Sequence, residues 1–138
     1  MMQTVFKNGW RAVIDFIAPP KCLTCHGAIV DPASLCLACW GKLNHIDAPV
    51  CDVLGTPFAY DHGEGAISAA AVAAPPPWDR ARAAVAYDEA SRQIVHGLKY
   101  RDTMEAGLLM ARLMGRAGQP LINEADVVVP VPLHRFRL

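Results

Sequence analysis

The chain is short of charge, of long apolar runs and of aromatic residues, and each shortage excludes something. Charged residues make up 19% of its 138 positions, and 13 Lys/Arg balance 13 Asp/Glu to a formal net charge of zero. Residues 1–74 carry four basic against six acidic residues, and residues 75–138 nine against seven. Neither half is the polybasic body that binds nucleic acid by charge alone. No stretch reaches the roughly 20 apolar residues that cross a bilayer, so no membrane span is expected. The opening stretch, residues 1–20, is a poor secretory signal: Arg11 and Asp15 break its apolar run and no small-residue cleavage site follows. A cytoplasmic location is therefore expected, where thiols stay reduced and paired cysteines point to metal rather than to disulfides. Aromatic residues are 7% of the chain, and none forms a base-stacking platform with basic neighbours; Trp40 and Trp78 read as packing residues. No internal repeat is visible, and the low-complexity content ends with Pro75-Pro76-Pro77.

At 53% hydrophobic, the chain has enough apolar content for a packed core. Its texture divides into four parts. In residues 1–20, Phe6, Trp10, Val13, Ile14 and Ile17 recur at helical spacing until Pro19 and Pro20, which predicts a short amphipathic helix. Residues 21–57 are punctuated by Cys, Gly, Pro and Asp; such loop-rich chain needs a staple. Residues 58–77 are a Gly/Ala/Pro-rich connector ending in a stiff proline run. Residues 78–138 read as α/β. A short buried strand is predicted over 81–87, and a helix over 90–98 with Ile94, Val95 and Leu98 on one face. A capping box at Asp102-Thr-Met-Glu105 then leads a second helix carrying Ala106, Leu109, Met110 and Leu113, with Gly118 as its stop. The β-branched run over 126–131 predicts a strand covered on both faces, hence the opening of a parallel sheet.

The chemistry-bearing pattern is Cys22-Leu-Thr-Cys25, ten residues, then Cys36-Leu-Ala-Cys39. Each C-x2-C turn aims two thiolates at one point, and two turns supply the four soft ligands that tetrahedral Zn²⁺ prefers. Four protein ligands leave no open position, so the one zinc ion expected here is structural. An iron–sulfur cluster and disulfides are the competing uses of four such thiols. Cys22-x-x-Cys25-His26 also matches the c-type haem attachment motif, but that reading leaves Cys36 and Cys39 without a role. The residue after a C-x2-C turn often needs positive φ, which His26 or Gly27 can accept.

The order of motifs resembles a known family. After the cysteine pattern and Trp40 come Cys51…Gly55-Thr-Pro57-Phe58, then Asp79-Arg-Ala-Arg82-Ala-Ala-Val-Ala-Tyr87, Ile94-Val-His-Gly-Leu-Lys99-Tyr100 and Val129-Pro-Val-Pro-Leu-His134-Arg135. This resembles the N-terminal part of the ComF family of competence-associated, phosphoribosyltransferase-like proteins. The resemblance implies a small zinc-ribbon region followed by the opening strand-helix-strand part of a type I phosphoribosyltransferase-like parallel sheet, incomplete at the C-terminus. It implies a role in natural competence and DNA uptake, with protein partners of that machinery and handling of single-stranded DNA. It places Lys99, Arg101, His134 and Arg135 near a sugar-phosphate, although Lys99 and Arg101 read equally well as a solvated helix end.

Two departures qualify what the resemblance implies. The family commonly has a second set of four cysteines; here Cys51 remains, while Leu54, Ser68 and Ala71 stand at the other three positions. One thiolate does not hold a zinc ion, so a second site is expected to be absent. Cys51 then reads as a small buried residue, with no basic neighbour to activate it. The second departure is the phosphoribosyl-pyrophosphate loop, an acidic pair leading into a Thr/Gly-rich phosphate cradle, which this sequence lacks. No acid/base pair for catalysis is evident either. Three readings follow. One is a truncated ComF-like protein that does not transfer a phosphoribosyl group alone. The other is a zinc-ribbon interaction module for protein or nucleic acid, able to self-associate along an unfinished sheet edge at 127–131. An active transferase, when complete, is a third.

Overall fold

The computed structural model describes residues 19–131, so the helix expected over 4–17 lies outside the described residues. The described chain has five helices: α1 (Leu37–Trp40), α2 (Ala69–Ala73), α3 (Glu89–Arg101), α4 (Met104–Ala117) and α5 (Gln119–Glu124). β structure among these residues is limited to isolated antiparallel bridges, Lys21 with Ala28, His45 with Val85, and Val50 with Pro57. No helix in the described part is long and apolar enough to cross a membrane.

The parallel sheet expected after residue 78 is not formed. Of the residues expected as a strand over 81–87, Ala84–Ala86 make a single antiparallel bridge to residues 44–46, through Ala86 N–H to Asn44 O (2.8 Å) and Ile46 N–H to Ala84 O (3.1 Å). The valines at 127–129 and Val131 are exposed by 72% or more. Among the described residues there is accordingly no sheet edge for a second copy to extend. The physical reason is where the helices pack. A parallel strand pair needs helices on its faces. Here Ile94 of α3 and Ala106 and Leu109 of α4 bury themselves instead with Cys22, Leu35, Cys39 and Leu43 of the N-terminal turns. With the helices committed to that core, no described helix covers the β-branched run.

The helices begin and end for local reasons. The Asp88 carboxylate accepts the N–H groups of Ser91 and Ala90 (both 3.0 Å), and Ser91 Oγ accepts the N–H of Asp88 (2.9 Å), a capping box that starts α3. These donors, Ser91 N–H first, hold the Asp88 carboxyl below the usual carboxylate range. Buried Ser91 also donates to Ala86 O (2.7 Å), locking the helix start onto the extended segment. The capping box expected at 102–105 is absent. Asp102 instead ends α3 in the left-handed conformation (φ 51°), which Asp tolerates better than most residues, and Thr103 N–H returns to Gly97 O (3.2 Å). The reversal lays α4 against α3, with Ala106 fully buried at the crossing. Gly118 ends α4 and also caps the start of α5, where Pro120 sits at a position whose missing N–H is not needed.

Candidate metal centre

The four thiols are positioned by two short devices. The first is a knuckle. Lys21 and Ala28 pair across the turn, Cys22 N–H donates to Gly27 O (2.8 Å), and His26 N–H donates to Cys22 O (3.0 Å). His26 takes the positive φ (60°) that lets the chain reverse immediately after Cys25. The second device is α1, which opens at Cys36 and carries Cys39 one turn later. Cys36 N–H donates to Cys22 Sγ (3.3 Å), so the helix start is joined to the knuckle through a sulfur atom.

All four Sγ atoms lie within 4.8 Å of one another, and Cys25 Sγ stands 3.7 Å from Cys36 Sγ. A Zn–S bond of about 2.3 Å gives a tetrahedron whose sulfurs are about 3.8 Å apart. The Cys25–Cys36 separation therefore suits a shared ion and is far beyond a disulfide bond. The use of all four thiols at one point also removes the motive for the haem reading. Cys22 is fully buried and Cys39 nearly so, whereas Cys25 is exposed: the cluster has one wall in the core and one facing solvent.

The two buried thiols are pulled in opposite directions. Burial pushes the Cys22 thiol up, but the N–H groups of Cys25, Cys36 and Thr24 outweigh it and bring it down to about 6. Cys39 goes the other way, up to about 12, because it shares hydrogen bonds with the Cys36 thiol and then because of burial and the neighbouring sulfurs. The Cys22 thiolate is thus favoured, and its charge adds a repulsion that disfavours the thiolate of Cys39. A divalent ion relieves that repulsion. Cys22, Cys25, Cys36 and Cys39 are placed to hold one Zn²⁺, with no position left open for substrate.

Residues 13–71 match the double zinc ribbon domain. The match covers both the knuckle just described and a second turn at Cys51. Comparison with curated proteins and with solved structures returned no match.

Among the other predicted site residues, Lys99 and Arg101 lie exposed in the last turn of α3. Arg101 lines a cleft of about 670 Å³ between the zinc knuckle and α3, together with Lys21, His26, Arg92 and His96. Lys99 is not among its lining residues. His134 and Arg135 lie outside the described residues. Trp40 packs against the core as expected, but Trp78 is half exposed and donates through its indole to Val53 O (3.2 Å). Cys51 is fully buried, as expected of a small residue in the core. Burial raises its thiol, while the nearby Ser68 hydroxyl and the backbone N–H groups around the sulfur bring it down to about 7. No basic neighbour is involved: the donors are a hydroxyl and backbone N–H groups, whose aim no local sequence pattern announces.

Proposed function

We propose that this chain is a zinc-stapled protein-interaction module of the natural-competence machinery, acting in the cytoplasm. The observation that carries the reading is a closed four-thiol site in a chain segment that exposes large apolar side chains. The metal has no open coordination position and so stabilises rather than reacts. Meanwhile Val30 (97%) and Leu37 (88%), between the two cysteine pairs and in α1, stand exposed, as do Tyr60 and Val72 beyond the Cys51 turn. Large apolar side chains on the arms of a rigid ribbon suit a protein surface better than a phosphate backbone. The charge of residues 1–74, four basic against six acidic, favours the same class of partner. The ComF-like order of motifs supports looking for that partner among proteins that take up DNA and handle its single strand.

A second reading, direct contact with single-stranded DNA, is favoured by one observation: the basic lining of the cleft at Lys21, Arg92 and Arg101. Cross-linking mass spectrometry in competent cells, comparing the wild type with Leu37→Asp, tests the first reading, and fluorescence anisotropy with a labelled oligonucleotide tests the second. The interaction module predicts cross-links to DNA-uptake proteins that Leu37→Asp abolishes, and no salt-dependent oligonucleotide binding by the purified chain. Binding that weakens steeply with salt, and is lost in Arg92→Ala, would replace it with the second reading.

A further inference from the structure

A double zinc ribbon implies two metal ions, but the second set of positions does not fit one. Its turn repeats the first almost bond for bond. Cys51 N–H donates to Thr56 O (2.8 Å), as Cys22 N–H does to Gly27 O (2.8 Å). Gly55 N–H donates to Cys51 O (2.8 Å), as His26 N–H does to Cys22 O (3.0 Å). Val50 pairs with Pro57, as Lys21 does with Ala28. Gly55 has φ 67° where His26 has 60°. Ser68 N–H donates to Cys51 Sγ at 3.3 Å, the distance at which Cys36 N–H meets Cys22 Sγ. A short helix follows in each case, α2 after Ser68 and α1 after Cys36.

The donor set is nonetheless lost. The positions equivalent to Cys25, Cys36 and Cys39 hold Leu54, Ser68 and Ala71. Leu54 and Ala71 offer no ligand atom. Ser68 Oγ accepts the N–H of Ala71 (3.3 Å) as the cap of α2. One thiol remains, and its sulfur accepts two backbone N–H groups, from Leu54 (3.5 Å) and Ser68 (3.3 Å).

Another device stands where the metal would be needed. Asp52, inside the second knuckle, is gripped by Arg82 and Arg80, the latter at 3.1 Å, and Arg82 Nη1 also donates to Asp52 O (2.8 Å). Trp78 donates to Val53 O. Gly55 lies so close to the same strap that a Cβ there would stand 2.7 Å from Ala81 O. Among the described residues, the first knuckle has no such strap: no side chain other than a cysteine hydrogen-bonds to residues 22–27.

We infer that residues 49–74 are a ribbon that folds without metal, its zinc replaced by hydrogen bonds to Cys51 and by the strap at 78–82, with the ligand-bearing geometry preserved as a latent second site. The chain then holds one zinc, and chelating it loosens the first ribbon while leaving the second folded. Restoring the donors with Leu54→Cys, Ser68→Cys and Ala71→Cys together creates a second site from turns already in place. The test is zinc per chain by elemental analysis of the wild type and the triple variant, with hydrogen exchange of the wild type before and after chelation. The expected result is one zinc in the wild type, two in the triple variant, and protection retained in 50–57 after chelation while it is lost in 22–43. Two zinc ions in the wild type, or loss of protection in both ribbons together, would overturn the inference. A triple variant that folds yet holds one zinc would overturn the latent site. If that variant does not fold, the wild-type stoichiometry and exchange still decide.

Discussion

The two ribbons of this chain solve one folding problem in two ways. Each is a reversed turn, a left-handed residue and a short helix, too small to bury a core of its own. The first gathers four thiols and joins the core of α3 and α4 through Cys22 and Cys39. The second keeps the backbone pattern but has one thiol, and ties itself down with the Asp52–Arg80–Arg82 cluster and Trp78. On the inference above, the ribbon backbone does not itself require metal. It requires a staple, and a staple built of ion pairs and packing serves if a strap lies close enough.

That comparison can be broken most severely at the zinc ligands. Cys36→Ser removes a ligand without altering the turns, and structural zinc supplies on the order of 10 kcal/mol in small zinc folds. The expected outcome is zinc loss and unfolding of the first ribbon. The loss spreads to α3 and α4, which share its core, and is checked by zinc content and circular dichroism. Next comes Leu109→Ala in α4. Leu109 is 3% exposed against the ribbon, and the truncation should cost about 2–5 kcal/mol in denaturant unfolding while leaving zinc per chain at one in the folded protein.

The equivalent turn residues give a sharper contrast. Gly55→Ala meets both positive φ and the Ala81 carbonyl, so it should destabilise the second ribbon by about 1–3 kcal/mol. His26→Gly, at the same place in the first ribbon, relieves a strained φ and should leave thermal stability unchanged or slightly raised.

The smallest expected effect is on pH dependence. Hydrogen bonding to Arg82, opposed by burial and reinforced by Arg80, holds the Asp52 carboxyl below its ordinary range. A depressed carboxylate contributes stability in full above its unfolded value, about 3.9, and loses it as pH falls through the lower folded value. The strap should therefore loosen below about pH 4 in the wild type and show no such step in Asp52→Asn, as followed by Trp78 fluorescence. Because Asp52 is a quarter exposed, the step is modest.

How much of this was legible in the sequence depends on the range of the forces involved. The zinc ligands were, because two C-x2-C turns carry their stereochemistry within a few residues. So were the positive φ near His26 and the helices around Ile94 and Leu109, whose spacing reports one buried face. The parallel sheet was not. The β-branched run at 127–131 records a tendency to be covered, but not whether anything is available to cover it, and the helices had gone to the ribbon. Asp102 carried a real signal for a helix boundary that was assigned to the wrong helix: it ends α3 instead of starting α4. The repeat of the ribbon was hidden because the two copies share hydrogen bonds and dihedral angles rather than residues. The Arg82–Asp52 strap joins positions 30 apart, a pairing that no local pattern announces.

The central claim is that one ion, bound by Cys22, Cys25, Cys36 and Cys39, is the sole metal staple of the two ribbons. Native mass spectrometry of the full chain tests it most directly. The account predicts a mass increment of one zinc, absent in Cys36→Ser and unchanged in Cys51→Ser. An increment of two zinc ions, an iron–sulfur mass, or loss of the ion in Cys51→Ser would contradict it.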